Sequence, residues 1–131
     1  HQGLLNYFDD AENAFISAYR HHPNNDAAFE IVVEYFASPS INNKTLLLAD
    51  PMLATGQSLV AVYEGIKKNG SPKEIHIVCV IGSTEGIEFI KNHFPENTHL
   101  WIAAIDNKLN DKGYIVPGLG DAGDLAFGSK L

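Results

Sequence analysis

Residues 46–58 read LLLADPMLATGQS: an apolar run closes in an acid, and a short loop follows that holds Thr55, Gly56 and Ser58. Two hydroxyls, a glycine and a helix start can together hold a phosphorylated ligand. The free N–H groups of a helix start and its dipole attract an anion, and glycine lets the backbone approach closely. Asp50 is unsuited to a phosphate; it would accept from sugar hydroxyls or sit near a metal. The loop is neither a Walker P-loop nor a dinucleotide G-x-G-x-x-G turn, and no lysine lies in it. The same residues also describe an ordinary junction, with Ser58 as N-cap and Asp50 as a turn residue. Taken alone, local physics leans slightly to that plainer description.

A second stretch, GYIVPGLGDAGDLAFG at 113–128, carries five glycines and two acids, Asp121 and Asp124. Tyr114, Ile115, Val116, Leu119 and Phe127 are poor choices for solvent, so the segment is expected to be packed. A packed glycine-rich loop presents backbone N–H and C=O groups to a planar ligand with an alternating donor and acceptor edge.

Elements must position both stretches. TLLLAD (45–50), EIHIVCVIG (74–82) and HLWIAAI (99–105) are short continuous apolar runs, expected as strands buried on both faces. Between them, 58–70 has Leu59, Val62, Tyr63 and Ile66 at helical spacing with Gly70 as a stop, and 84–94 reads as a helix ended by Pro95. The order β-α-β-α-β implies a parallel sheet with crossover helices, in which ligands bind beyond the carboxyl ends of the strands. Asp50 stands at such an end. Before this unit, 3–8 reads as the end of a helix, and 14–20 and 29–38 as two strands of a hairpin or arm. HHPNNDA (21–27) reads as an exposed loop between them, and 106–131 as ordered loop.

The 131 residues suit one domain or part of one, with 45% hydrophobic residues for a core. A net charge of −7, from 9 basic and 16 acidic residues, argues against broad nucleic-acid or anionic-membrane binding. The single cysteine, Cys79, excludes an intrachain disulfide and reads as a buried inert thiol. No membrane-spanning run or signal peptide is evident, so a cytoplasmic location is expected. The six histidines read as scattered, with no metal site, and Trp101 as core. Lys67, Lys68 and Lys73 read as a solvated face near a helix end. No serine or cysteine nucleophile with a base is evident.

DPMLATGQS resembles the ribose-phosphate loop of the phosphoribosyltransferases, and its Asp-Pro-Met-Leu-Ala-Thr-Gly form that of the uracil phosphoribosyltransferases. Many relatives in the wider superfamily carry two acids where this chain has Asp50 and Pro51. YIVPGLGDAGD, with AAIDNKLNDKGY leading into it, resembles the uracil-binding segment of the same family. HQGLLNYFD resembles a family helix, and SAYR the strand ending in a diphosphate-contacting arginine, here Arg20.

The resemblance covers nearly the whole chain. It implies a Rossmann-like parallel sheet of the type I phosphoribosyltransferase fold with a β-arm and a glycine-rich tail. Residues 1–131 would be the C-terminal two-thirds of the family domain, a preceding diphosphate loop and arginine being absent. It implies transfer of the 5-phosphoribosyl group from 5-phosphoribosyl 1-diphosphate to uracil, giving UMP and diphosphate. A non-catalytic sensor or partner module for the same ligands is the competing expectation.

By resemblance, Arg20, Asp50, Pro51, Met52, Leu53, Ala54, Thr55, Gly56, Gln57, Ser58 and Asp121 would bind the phosphoribosyl donor. Ile115, Gly120, Asp121 and Ala122 would bind uracil. Asp50 and Asp121 would be catalytic, and Mg²⁺ would be held mainly through the diphosphate. A homodimer or larger homo-oligomer is implied, with the 29–38 arm as its interface. Two positions depart from many relatives: Leu125 where Arg or Lys is expected, and Ser129 where Thr is expected.

Overall fold

The structure, a computed structural model, describes residues 1–21 and 30–128. A short helix α1 (Gln2–Leu5) precedes an antiparallel arm of β1 (Phe15–His21) and β2 (Glu30–Ala37), with a register shift at Ser17/Ala18. The expected hairpin is therefore present, although most of the expected loop, from residue 22 onward, lies outside the described residues. Then follow β3 (Thr45–Leu53), α2 (Gln57–Ile66), a 3-10 turn (Lys67–Asn69), β4 (Glu74–Ser83), α3 (Thr84–His93) and β5 (Thr98–Asp106). The strands β3, β4 and β5 lie side by side in chain order and all run parallel. The tail holds a two-stranded ribbon, β6 (Lys108–Leu109) with β7 (Ile115–Val116), and a short helix α4 (Ala122–Phe127). It is thus not the plain loop expected, because Asn110 closes a turn between the ribbon strands. Its Oδ1 accepts from the N–H groups of Lys112 and Tyr114.

Each strand is added on the same side of its predecessor. Right-handed crossovers that step in one direction deliver both helices to one face of the sheet. The core lies there, with Ile75, Ile77 and Cys79 alternating inward from β4 and meeting Leu48, Leu59, Tyr63, Ile66, Ile90 and Phe94. Tyr63 and Phe94 stack with ring centroids 4.5 Å apart. The opposite face has no helix on it among the described residues. Leu47, Val80, Trp101 and Ile105 are exposed there, so the strands are not buried on both faces as their apolar runs suggest. Trp101 is 58% exposed rather than core. The sequence pattern reports what a strand tolerates, whereas the crossover direction decides which face is covered.

Cys79 is buried, as its setting among apolar residues implies. Burial and the nearby Asp50 carboxylate push its thiol up to about 12. It is expected to resist an aromatic disulfide reagent at neutral pH until the chain is unfolded, followed by absorbance. Labelling of the native protein at the rate of a free thiol would contradict this.

Candidate functional site

Asp50 pairs with Cys79 in the β3–β4 register and therefore projects to the helix-covered face, beside the start of α2. Its Oδ1 accepts the Met52 N–H at 3.0 Å, and Oδ2 has no hydrogen bond among the described residues. Burial raises its pKa above the ordinary aspartate value, and the Met52 N–H pulls part of the way back. The chain then turns through Ala54 and Thr55 to Gly56, which caps α2 with φ +79°. The helix starts at Gln57, one residue before Ser58, and no side chain caps it. The cap is thus Gly56 and not Ser58, which leaves the first-turn N–H groups and the Ser58 hydroxyl available to an anion. Asp50, Met52, Leu53, Ala54, Thr55, Gly56, Ser58 and Leu59 line a depression of about 30 Å³ at this point. Asp50, Pro51 and Ser58 also border an open cavity of about 710 Å³ that runs under α1 and the arm. Gln57 begins the helix without lining either space.

Two residues that the sequence did not single out hold this loop in place. Ser83 caps α3, accepting the Gly86 N–H at 2.8 Å, and its hydroxyl donates to the Ala54 carbonyl at 2.5 Å. A Cβ on Gly86 would lie 2.3 Å from that same carbonyl oxygen. A Cβ on Gly56 would meet the Phe89 ring at 3.1 Å and the Gly86 carbonyl at 3.2 Å. The loop therefore lies directly on the first turn of α3. The signal for the cap was present: a serine between an apolar strand run and a helical stretch.

The tail is hung from the neighbouring end of the same sheet. Asp106, at the end of β5, accepts the Gly118 N–H through Oδ2 at 3.0 Å. Thr84, the first residue of α3, donates to Asn107 Oδ1 at 3.3 Å. Gly118 has φ +49°, and a Cβ there would lie 2.1 Å from the Ile115 carbonyl oxygen, so only glycine fits this turn. Ile115 is 1% exposed and anchors the segment. Gly120 has φ +83° and faces open space, Asp121 caps α4 by accepting the Asp124 N–H at 2.9 Å, and Ala122 opens that helix. Packing of the tail is less complete than expected: Leu125 is 70% and Phe127 93% exposed, since no element covers α4 among the described residues.

The structure thus brings residues 50–56 and Ser58 to one wall, with Gln57 outside it, and Ile115, Gly120, Asp121 and Ala122 to a segment fixed at the carboxyl end of β5. Arg20 lies in β1, with its side chain outside the described residues, as is Ser129. Histidines read as scattered are partly gathered: His76 and His99 are register partners in β4 and β5.

A family model described as uracil phosphoribosyltransferase matches residues 1–129. A curated uracil phosphoribosyltransferase of Porphyromonas gingivalis is 52% identical over 131 residues, all of this chain and 60% of that protein. One from Pyrococcus furiosus is 48% identical over 131 residues, covering 99% of this chain and 55% of its own length. A solved structure of a protein from Aquifex aeolicus superposes with a TM-score of 0.87 at 32% identity, over 99% of this chain and 60% of that one. The chain spans about three-fifths of the length of these relatives.

Proposed function

The chain belongs to the uracil phosphoribosyltransferase family, and from that we propose that its protein transfers a 5-phosphoribosyl group from 5-phosphoribosyl 1-diphosphate to uracil, giving UMP and diphosphate. The observation that carries this reading is the uncapped start of α2 with Asp50 beside it, its second carboxylate oxygen without a hydrogen bond among the described residues.

In this reading the 5′-phosphate rests on the N–H groups at 55–58, helped by the hydroxyls of Thr55 and Ser58. Asp50 Oδ2 accepts from the ribose hydroxyls. As the bond from the anomeric carbon to diphosphate breaks, the departing oxygen keeps the electron pair and positive charge grows on the sugar, which a carboxylate at this point stabilises. Uracil N1 bonds to the same carbon and gives up its proton. Backbone groups of Ile115, Gly120 and Ala122 hold the base, and Asp121 orients it and is assigned the proton. Arg20 is assigned to the diphosphate.

The loop offers one carboxylate, with Pro51 beside it. That donor set fits a hard cation carried mainly by phosphate oxygens and water, as Mg²⁺ commonly is, rather than a cage of protein ligands. Mg²⁺ so bound would supply charge neutralisation for the leaving diphosphate. No helix among the described residues is long and apolar enough to cross a membrane, and we place the protein in the cytoplasm. The arm, whose exposed Phe15 and Tyr35 pair with ring centroids 6.0 Å apart, is assigned to a homodimer or larger homo-oligomer.

The test is direct. Full-length protein supplied with uracil, 5-phosphoribosyl 1-diphosphate and Mg²⁺ is expected to release UMP and diphosphate in equal amounts. Calorimetric binding of both substrates without turnover would make the protein a sensor, and absence of binding would remove both readings.

A further inference from the structure

Far from the loop and the tail, at the amino ends of β4 and β5, three side chains meet on the uncovered face of the sheet. Glu74 and His76 are two residues apart on β4 and so share a face, and the parallel register sets His76 beside His99 of β5. Glu74 Oε2 lies 3.3 Å from His76 Nε2, and Glu74 Oε1 lies 3.4 Å from His99 Nε2. The potential ligand atoms of all three residues lie within 4.8 Å of one another. The two imidazoles stack with centroids 4.9 Å apart.

These separations fit a metal. Zinc bonds to nitrogen and oxygen of about 2.0–2.2 Å, opened at the tetrahedral angle, put neighbouring ligand atoms about 3.4 Å apart. Each histidine Nε2 already stands about one such edge from a Glu74 oxygen, His76 from Oε2 and His99 from Oε1. One ligand atom from each residue, none more than 4.8 Å from another, closes onto a cation by a turn of the carboxylate and an approach of the two imidazoles. Two imidazoles and one carboxylate suit a late first-row divalent ion rather than Mg²⁺ or Ca²⁺, which prefer oxygen. The exposed face leaves the fourth position to water. We propose that Glu74, His76 and His99 form a binding site for Zn²⁺ or a similar late first-row divalent cation, separate from the phosphoribosyl chemistry.

Trp101 supplies a reporter. Its Nε1–H donates to His76 Nδ1 at 3.0 Å, which places the His76 proton on Nε2, toward Glu74. A metal on Nε2 needs the lone pair there, so the proton moves to Nδ1 and the indole N–H loses its acceptor to solvent. Trp101 is the single tryptophan of these 131 residues, so an emission change in the full-length protein that disappears in Trp101→Phe reads this event.

The experiment is a Zn²⁺ titration of tag-free full-length protein, followed by calorimetry and by Trp101 emission. One saturable equivalent per chain is expected, with a change in emission. Loss of an outer-shell partner typically weakens a metal site about tenfold or more, and loss of a ligand should cost at least that. His99→Ala and Glu74→Gln are therefore expected to weaken binding at least to that extent, as is His99→Gln, which keeps a polar side chain of similar reach. His93→Ala, on α3, should leave it unchanged. Absence of saturable binding, an affinity that survives His99→Ala and His99→Gln, or unaltered Trp101 emission at saturation would overturn the site.

Discussion

Asp50→Asn is expected to slow UMP formation by about 100- to 1000-fold, the range for removing one preorganised electrostatic group from a transition state, while raising the melting temperature. Asparagine keeps the oxygen that accepts the Met52 N–H, so the turn at 50–52 should persist. What disappears is the charge. The gain in stability follows from the raised pKa, whose main cause is burial. A carboxyl raised in the folded state binds its proton more tightly there than in the unfolded chain. Stability is therefore present at low pH and falls as pH rises from the ordinary value of 3.8 through the raised one. At neutral pH the ionised Asp50 is a net cost, which asparagine removes. The Cys79 thiol, held near 12 partly by the Asp50 charge, should titrate lower in the variant. Steady-state rates of the full-length protein and thermal melts on either side of that pH window check the prediction. Near-normal turnover, or a melting temperature below that of the parent at neutral pH, would defeat it.

Gly86→Ala is expected to be nearly as damaging by a purely steric route. The added Cβ would stand 2.3 Å from the Ala54 carbonyl oxygen and 3.1 Å from Leu53 Cγ. The first of these is backbone and cannot swing aside, so α3 or the loop must move. Overpacking of this kind costs about 1–3 kcal/mol, partly offset by about 1 kcal/mol of better helix propensity. Net destabilisation should thus be modest. Activity should fall much further, because a displacement of about 1 Å in a positioning loop can cost about 100-fold. The comparison that isolates the cause is Gly65→Ala in α2, where a Cβ meets nothing within 4 Å. That variant should keep full activity and gain stability. Equal activity losses in the two variants would show that the contact with Ala54 does not position the loop.

The sequence disclosed the fold because its signals are local. Leu59, Tyr63 and Ile66 recur at helical spacing and all three enter the core. The alternation of strand and helix left one plausible sheet direction, and the paired strands β1 and β2 were legible from β-branched and aromatic runs. Loop 50–58 was legible as well, through Asp50, Gly56 and Ser58, although its cap proved to be glycine. What stayed hidden depends on distance across the fold. Ser83 and Gly86 act on Ala54, about thirty residues earlier, and nothing in the local pattern of 83–86 names that partner. His76 and His99 looked scattered because parallel register, not spacing along the chain, brings them together. Trp101 looked like core because an apolar strand cannot state which of its faces a helix will cover.

The stepwise order of β3, β4 and β5 also has a kinetic meaning. Each strand pairs with the next one along the chain, so the central unit from Thr45 to Asp106 closes loops of similar, moderate length, and its strand pairing draws on no distant segment. Loop closure of that size carries only a modest entropic cost, which suits early assembly. The phosphate-type loop is interior to this unit, fastened at Ser83 and Gly86. The tail is appended to it through Asp106 and Thr84. The two halves of the site therefore belong to different levels of cooperativity. Loop 50–58 is expected to open with the central unit, whereas the tail segment can detach by local opening and leave that loop intact.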